Sequence, residues 1–439
     1  MVNINVLVIN GEPFNHSSAT GITMSNLFRG WPKNQIFQIY TANISPDLEL
    51  CQKNMRLSSQ NLKPFSYFRR VTSSPISLHK EKLELHKMNS GQKNGFSNSL
   101  LGWLRKSVVP FLDFLPYELH PKNLKTIQEF KPDVIYSMLG SIRMVRLVST
   151  LARELNIPVV PHFMDDWVST YSVPGRSVGS PFHVGYLQRA VRNLFDSIPV
   201  GMSIGEAMSQ EYTKRYSRKF FDFMNPVEVS DSFPRLKAQK QGGIVRFVYV
   251  GGLHLGRSEC LADIALVLQK LKIEGLPVEF CVYAPAHDAH AASQLESIGS
   301  AIIFKGSVRP EEVSGVLDES DVAVHVESFS NSCAEYTRLS VSTKIPQYFA
   351  AGIPVLAYGP SSLASCQYVR STQAGILVDK RGNDSLEAGI YSLVIGNVSR
   401  RDMGMRAWMR AREHHEITTV RRRFMAVLSS ATRGKRSTT

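Results

Sequence analysis

Short apolar runs alternate with helical segments along much of this 439-residue chain, and this alternation constrains the fold more than any other feature. The runs are apolar almost throughout, as expected for strands that are buried on both faces of a parallel sheet. Parallel strands need a crossover, usually a helix, so the pattern predicts doubly wound α/β sheets. The runs are KPDVIYSM, IPVVPHF, IVRFVYV, VEFCVYAP, AIIFKGSV, DVAVHVES, IPVLAYG and AGILVD.

The length of the chain exceeds what one hydrophobic core usually serves, so two domains are expected. The segment NPVEVSDSFPRLKAQKQGG is polar and contains two prolines and two glycines, which is typical of a linker. We therefore expect a first domain over 1–226, a linker over 227–243, a second domain over 244–414 and a basic C-terminal segment over 415–439. The polar and basic residues 43–118 are interpreted as an insertion in the first domain.

The stretch from Leu339 to Pro360, LSVSTKIPQYFAAGIPVLAYGP, predicts a polar loop, a short helix and a strand. We expect the hydroxyl of Thr343 to cap this helix and Gly352 to end it in the left-handed conformation. Lys344 adds a cation at the helix start, and a positively charged helix N-terminus suits a phosphate. Gln347 lies one turn further, where its amide can hydrogen-bond a sugar hydroxyl.

The segment KIPQYFAAGIPVLAYGP resembles the nucleotide-sugar-binding segment of the two-domain GT-B glycosyltransferases, especially the retaining family 4 type. The resemblance implies two Rossmann-like parallel-sheet domains that face a central cleft, and a last helix that crosses back to the first domain. In that family a glutamate holds the donor ribose at the position of Gln347, and an amide binds a diol less strongly. A second family glutamate matches Leu339, although its spacing recurs at Glu327 and Glu335. Either the loop from Glu327 to Ser342 supplies the acid again, or the chemistry differs in detail; an ordinary αβ turn is the structural alternative.

The segment IVRFVYVGGLHLGRSE reads as a strand, a glycine loop and a helix start, and it resembles the family's phosphate loop. In the family an arginine and a lysine five residues apart neutralise the donor diphosphate. Here Gly252 replaces the arginine and Arg257 stands at the lysine position, so Lys344 is the expected second cation and His254 a further candidate donor. A surface arginine at a helix start is the alternative for Arg257. By the same resemblance, two residues of the F-x-G-x-V turn are expected to border the nucleotide base, Gly306 and Val308.

In the first domain, the loop after the first strand contains Gly21 within SATGITMSNLF. This resembles the family's first loop, where a glycine lets the backbone approach a phosphate or the acceptor; a structural strand-to-helix turn is the alternative. The segment HFMDDWVSTY resembles the H-D-x-W region that faces the acceptor, with His162, Asp165 and Asp166 as candidates. A lone aspartate pair without a second acidic cluster makes a poor metal site, and a capping or solvated pair is the alternative.

The formal charge of +14 is concentrated in two segments. Residues 400–439 contain eleven basic and three acidic residues, and residues 51–95 contain nine and two. Next to the second segment, the run from Leu100 to Leu115 places Trp103 and Phe111 on one side of a candidate interfacial helix, with a buried core helix as the alternative. These features favour an anionic membrane surface as a partner. Nucleic acid is not expected, because no recognised nucleic-acid-binding motif accompanies the charge.

The sequence contains no apolar stretch of about 18 residues, and its N-terminus lacks the features of a signal peptide. Its five cysteines are scattered without zinc spacing and are interpreted as reduced thiols. We therefore expect a cytoplasmic protein that associates peripherally with the inner face of the membrane.

These observations and the resemblance predict a glycosyltransferase, of hexosyltransferase type and retaining. It would move a sugar from a nucleotide diphosphate donor to a cell-surface polysaccharide or a lipid-linked glycan. Because side-chain cations can stabilise the departing diphosphate, no metal or other cofactor is expected. The alternatives are another GT-B reaction such as nucleotide-sugar epimerisation, or a catalytically weak, membrane-associated scaffold of a glycan assembly complex. The candidate catalytic residues are Asp165, Asp166, Glu327, Arg257 and Lys344.

Overall fold

The computed structural model describes residues 4–63, 114–170, 181–196, 198–234 and 243–433. The apolar runs form strands of two separate sheets, and every strand pairing within these sheets is parallel. This confirms the predicted class of two Rossmann-like α/β domains.

The first sheet has seven strands in the order β3-β2-β1-β4-β5-β6-β7, and the second has six in the order β10-β9-β8-β11-β12-β13. The first sheet consists of β1 (Val6–Asn10), β2 (Ile36–Tyr40), β3 (Lys53–Arg56), β4 (Val134–Ser137), β5 (Val159–Phe163), β6 (Val200–Ser203) and β7 (Lys219–Asp222). The second consists of β8 (Val245–Val250), β9 (Val278–Tyr283), β10 (Ile302–Gly306), β11 (Val322–Val326), β12 (Val355–Tyr358) and β13 (Gly375–Val378).

Both sheets reverse their order at the first strand of the domain. The connection after β1 leads to β2 on one side, while β4 flanks β1 on the other, and β8 is flanked by β9 and β11 in the same way. In doubly wound sheets, ligands bind in the crevice outside the carboxyl ends of the strands at such a reversal. The crevice beside β8 is therefore the first place to examine for a binding site.

Helices cover both faces of each sheet. Those of the first domain are α1 (Ala19–Phe28), α2 (Pro121–Phe130), α3 (Ile142–Leu155), α4 (Trp167–Thr170), α5 (Pro181–Phe195) and α6 (Glu206–Tyr216). Those of the second are α7 (Arg257–Ile273), α8 (Ala289–Glu296), α9 (Val313–Asp318), α10 (Asn331–Thr337), α11 (Ile345–Ala350), α12 (Ala364–Thr372), α13 (Asn383–Ile395) and α14 (Asn397–His414), and the last helix is α15 (Ile417–Arg433).

The last helix packs on the first domain although it follows the second in sequence. Phe424 of α15 contacts the rings of Phe28, Tyr136 and Phe223 with centroid distances of 5.1, 5.5 and 5.6 Å. The helical chain breaks before it at Glu416, whose carboxylate accepts from the backbone N–H groups of residues 418 and 419. This cap starts a new helix, and the break lets the chain turn back.

One part of the expected insertion belongs to the sheet. Residues 53–56 form β3, which pairs with β2 at the edge of the first sheet. Exposed Lys53 and Arg56 suit an edge strand, and this polar composition explains why no strand was predicted. Most of the run from Leu100 to Leu115, with Trp103 and Phe111, lies outside the described residues. Among the residues that are described, no helix combines the length and apolar character needed to cross a bilayer.

Candidate active site

Two cationic side chains converge at the carboxyl edge of the second sheet, beside β8. Arg257 is the first residue of α7, and Lys344 directly precedes α11. The Nζ of Lys344 lies 3.0 Å from the position that a Cβ on Gly251 would occupy, so the ammonium packs over the loop that follows β8. Burial, and then the neighbouring Arg257 cation, lower the pKa of Lys344 to about 8. Among the described residues, no carboxylate lies within 4.0 Å of this ammonium.

A buried carboxylate, Glu327, lies beneath the two cations at the end of β11. Its Oε1 is 3.8 Å from Nη2 of Arg257, and the Ser365 hydroxyl donates to it at 3.4 Å. Burial raises the pKa of Glu327, while the Arg257 cation and hydrogen bonds from Thr337 and Ser365 act in the opposite direction. The carboxylate therefore partly balances the cations without forming a close ion pair with either.

His325, two residues earlier on β11, completes this buried cluster. Its Nε2 lies 3.5 Å from Oε1 of Glu327 but has no hydrogen-bond partner of good geometry among the described residues. Burial lowers the pKa of His325 to about 3, and the cations Arg257 and Lys344 add to this shift. The imidazole is therefore neutral at physiological pH, and the cluster carries a net positive charge.

The loop between β8 and α7 is held in one conformation. The Tyr249 hydroxyl donates to the carbonyl of Gly252 at 2.7 Å, and the N–H of Leu253 donates to Asp288 at 2.8 Å. Leu255 and Gly256 both adopt the left-handed region, with φ of 60° and 71°. The loop thus delivers the start of the long helix α7, whose first N–H groups lack a side-chain cap, to the crevice beside β8.

The exposed imidazole of His254 packs against Gly252. A Cβ on Gly252 would lie 2.6 Å from Nδ1 of His254, so a side chain at position 252 would require this ring to move. Burial, and then the Arg257 cation, lower the pKa of His254. This shift disfavours the charged imidazolium beside Arg257.

The remaining donor candidates lie along the same edge with different surroundings. Half-buried Gln347 is in α11, one turn beyond Lys344, and its side chain makes no hydrogen bond to another described residue. Gly306 ends β10 with φ of 75°, and half-buried Val308 follows it. Both residues follow the end strand β10 and are set apart from the cluster, because β9 lies between β10 and β8.

The expected cap by Thr343 is wrong. Lys344 itself is the residue before the helix, it makes no side-chain cap, and its N–H donates to the hydroxyl of Ser342 at 3.4 Å. Gly352 has φ of 67° and follows the helix as predicted. Because α11 has only six residues, the positive charge at this position comes from the ammonium rather than from a helix dipole.

The three positions that could supply the family's other glutamate have different surroundings. Leu339 is buried in the hydrophobic core, and Glu335 is exposed on α10. Glu327 alone of these three points to the cations. The acid of the cluster, Glu327, therefore comes from the end of β11 and not from the segment between β11 and α11.

In the first domain, the structure separates the two aspartates. Asp166 is buried and accepts from the hydroxyl of Tyr212 at 2.6 Å and from both terminal nitrogens of Arg215 at 2.8 and 3.2 Å. Asp165 is half-buried and accepts from the hydroxyl of Ser340, which belongs to the second domain, at 2.8 Å. Asp165 therefore faces the other domain, whereas Asp166 is held inside the first.

Two other first-domain candidates are structural. His162 is fully buried, and its two ring nitrogens contact the Tyr136 hydroxyl and the Phe223 carbonyl at 2.8 and 3.2 Å. Burial lowers its pKa to about 4. Gly21 lies inside α1, where a Cβ would lie 2.0 Å from the Asn15 side chain, so packing by itself requires a glycine at this position.

Sequence reasoning missed His325 and Ser365, which contact Glu327, and Asp288, which anchors the loop. His325 alternates with Glu327 along β11, and this spacing was the available signal, since alternate residues of a strand share a face. Ser365 and Asp288 lie in other βα units and had no local signal. Within the described ranges, no group of three or more His, Cys, Asp or Glu side chains is arranged to hold a metal ion.

No family model matches the sequence, and no curated protein matches it. Solved structures do match over almost the whole chain. HepE of Anabaena in complex with UDP and glucose is 13% identical, covers 98% of this chain and 100% of its own, and has a TM-score of 0.60. The sucrose-phosphate synthase of Thermosynechococcus elongatus is 11% identical, with coverages of 96% and 98% and a TM-score of 0.60.

The chain has the GT-B fold. A third structure, the E. coli trehalose-6-phosphate protein bound with UDP-2-fluoro glucose, agrees, with 10% identity, coverages of 97% and 99% and a TM-score of 0.57. In this GT-B fold, the cluster of Arg257, Lys344 and Glu327 lies on the second domain, and Asp165 of the first domain contacts Ser340 of the second.

Proposed function

We propose that this protein transfers a sugar from a nucleotide diphosphate donor to a glycan acceptor. The observation that carries the proposal is the convergence of Arg257 and Lys344 at the crevice beside β8. A partly buried ammonium with a lowered pKa and without a close carboxylate is stabilised by an anionic ligand. The likeness in fold to proteins solved with UDP or a UDP-sugar supports the same assignment.

The residues of the cluster suit distinct roles in such a transfer. Arg257 and Lys344 would hold the diphosphate and stabilise its developing charge as the sugar departs. Gln347, one turn away, would hydrogen-bond hydroxyl groups of the donor. Glu327 would keep Arg257 oriented, and Asp165 would approach from the acceptor side.

We further propose that the reaction needs no divalent metal, because two side-chain cations supply the charge. Activity should therefore persist in EDTA. Loss of activity in EDTA that Mg²⁺ or Mn²⁺ restores would contradict this part of the proposal.

The finer proposals are a hexosyl donor, a retaining outcome and an acceptor that is a cell-surface polysaccharide or a lipid-linked glycan. For a membrane-bound acceptor, the basic charge on residues 51–95 would bring the enzyme to the anionic inner membrane surface. Co-sedimentation with vesicles of varied anionic lipid content tests this association. Binding to the vesicles should fall as ionic strength rises. Binding that does not depend on the anionic lipid content would contradict the proposed association.

A donor screen tests the central proposal. Thermal unfolding of the full chain is measured with UDP-, GDP-, ADP- and TDP-linked hexoses, and release of nucleoside diphosphate is then measured with the stabilising donor. One donor should raise the unfolding temperature and be consumed. Epimerisation of the donor without nucleotide release would favour the epimerase alternative. The absence of any donor binding would favour the scaffold alternative.

A further inference from the structure

A cavity of about 310 Å³ lies between the two domains, on the flank of the cleft. One wall is α6 of the first domain, through Gln210 and Lys214, and the opposite wall belongs to the second domain, through Arg338 and Gln367. The cavity is separate from the cluster of Arg257 and Lys344, and none of its lining residues was a candidate for the donor site.

The two walls each contribute a cation that has no ion pair with a described residue, Lys214 and Arg338. The carboxylate in the lining, Glu211, is held by Arg215 at 3.0 Å. Both side chains are exposed at the mouth of the cavity, and both would attract an anion bound inside it. The charge pattern therefore favours an anionic occupant that contacts both domains.

The floor and the rim of the cavity differ in polarity. Small or buried apolar side chains form the floor, from Ala207, Leu339 and Ala364, and the latter two are 5% and 4% exposed. Amide and hydroxyl groups of Gln210, Gln367 and Ser362 complete the rim. An apolar floor with few hydrogen-bonding groups around it suits one face and the hydroxyl edge of a sugar ring.

The cavity is linked to the donor cluster through neighbouring residues of the chain. Ala364 on its floor precedes Ser365, whose hydroxyl donates to Glu327 at 3.4 Å. Leu339 precedes Ser340, whose hydroxyl donates to Asp165 across the domain boundary at 2.8 Å. A glycan in the cavity would therefore contact the segments that also hold Glu327 and Asp165.

We propose that this interdomain cavity binds an acidic sugar unit of the acceptor glycan, whose carboxylate or phosphate is held between Lys214 and Arg338. The place of this unit in the reaction rests on the proposed function, but the binding of an acidic saccharide does not. The chain would thus select an anionic glycan over a neutral one of the same length.

Binding of defined saccharides to the full chain tests the proposal without activity. The probes are a tetrasaccharide that contains glucuronic acid, glucose 6-phosphate, neutral maltotetraose and inorganic phosphate, each titrated by calorimetry. An acidic saccharide should bind at least tenfold more tightly than maltotetraose. The first two probes separate a carboxylate from a phosphate ligand, and inorganic phosphate tests whether the sugar ring contributes.

The variant with Lys214→Gln and Arg338→Gln should bind the acidic saccharide at least tenfold more weakly, with the affinity for the donor unchanged within about twofold. The control variant with Lys122→Gln and Arg401→Gln removes the same charge from exposed positions of the two domains, and it should behave as the native chain. Equal binding of neutral and acidic saccharides, no effect of the first variant, or an equal effect of the control would overturn the proposal. If acidic saccharides bind and no nucleotide sugar does, the cavity assignment stands and the proposed function fails. If a nucleotide sugar binds and acidic saccharides do not, only the cavity assignment is rejected.

Discussion

Asp166 and Glu327 are both buried carboxylates at the carboxyl edge of a sheet, one in each domain, yet they are held differently. Asp166 accepts from Tyr212 and Arg215 at 2.6 to 3.2 Å. Glu327 is 3.8 Å from Arg257 and accepts from Ser365 at 3.4 Å. The first carboxylate has close hydrogen-bond partners in its own domain, whereas the partners of the second lie farther from it.

The cations show the same contrast. Arg215 bonds Asp166, Ser169 and Glu211 and lies over the ring of Tyr212 at 4.7 Å. Lys344 has no close carboxylate among the described residues, and its pKa is lowered to about 8. Burying a charge is costly unless close partners compensate it. The first cluster is therefore a structural ion pair, and the second is an arrangement that a bound anion would complete.

The largest expected effect is on the stability of the first domain. Asp166→Ala should lower the free energy of unfolding by about 3 kcal/mol, because it leaves the Arg215 cation without its buried partner. Denaturant unfolding measures this change. The double variant with Asp166→Leu and Arg215→Met should recover most of the loss, and a marginal effect of Asp166→Ala would remove the contrast between the two carboxylates.

The second cluster should respond in the opposite sense. Lys344→Met and Arg257→Met should each weaken donor binding or turnover by at least tenfold, about 1.4 kcal/mol, because each removes a charge-assisted phosphate contact. Lys344→Met should leave the free energy of unfolding unchanged or raise it, since it removes a partly buried charge that has no close carboxylate among the described residues. Lys270→Met, on the exposed side of α7, is the control. Native donor kinetics in both cluster variants would reject the site.

The pH dependence of donor binding tests the role of the charge on Lys344. The pKa of Lys344 is about 8, so its ammonium loses charge as pH rises through 8 in the free protein. Donor affinity should fall by up to about tenfold between pH 7 and pH 9.5. The free energy of unfolding should rise over the interval between pH 8 and the ordinary lysine pKa, because the folded state releases this proton first.

Lys344→Arg is the matched variant for the pH experiment, because a guanidinium stays charged throughout this range. The pH dependence of donor affinity should disappear in it. A native-like pH profile in Lys344→Arg would show that another group titrates.

The smallest expected effect comes from adding a carboxylate to the second cluster. Gln347→Glu should tighten donor binding by about threefold to tenfold, since a carboxylate accepts more strongly than an amide from the hydroxyls of a diol. Calorimetric titration with the donor found by the screen measures this gain. Weaker donor binding would show that the amide donates to the ligand rather than accepts from it.

The sequence alone determined the architecture and the convergence of two cations at one sheet edge. Alternating apolar runs and crossover helices leave few arrangements other than parallel sheets, and residues that follow such strands meet at one edge. That rule is independent of distant contacts, so the resemblance and the shared sheet edge were enough to predict that Arg257 and Lys344 lie close together. The conformation of Gly352 was also predictable, because it depends on the residue itself.

Only the tertiary structure decided what the acidic residues do. Asp165 and Asp166 are adjacent in sequence, but one contacts the second domain and the other contacts Arg215, 49 residues away. The role of Glu327 depended on how helix α10 lengthens the loop before α11, which no spacing rule expresses. The role of a buried charge depends on its hydrogen-bond and ion-pair partners. These partners come from distant strands and helices, so the role can be assigned only from the tertiary structure.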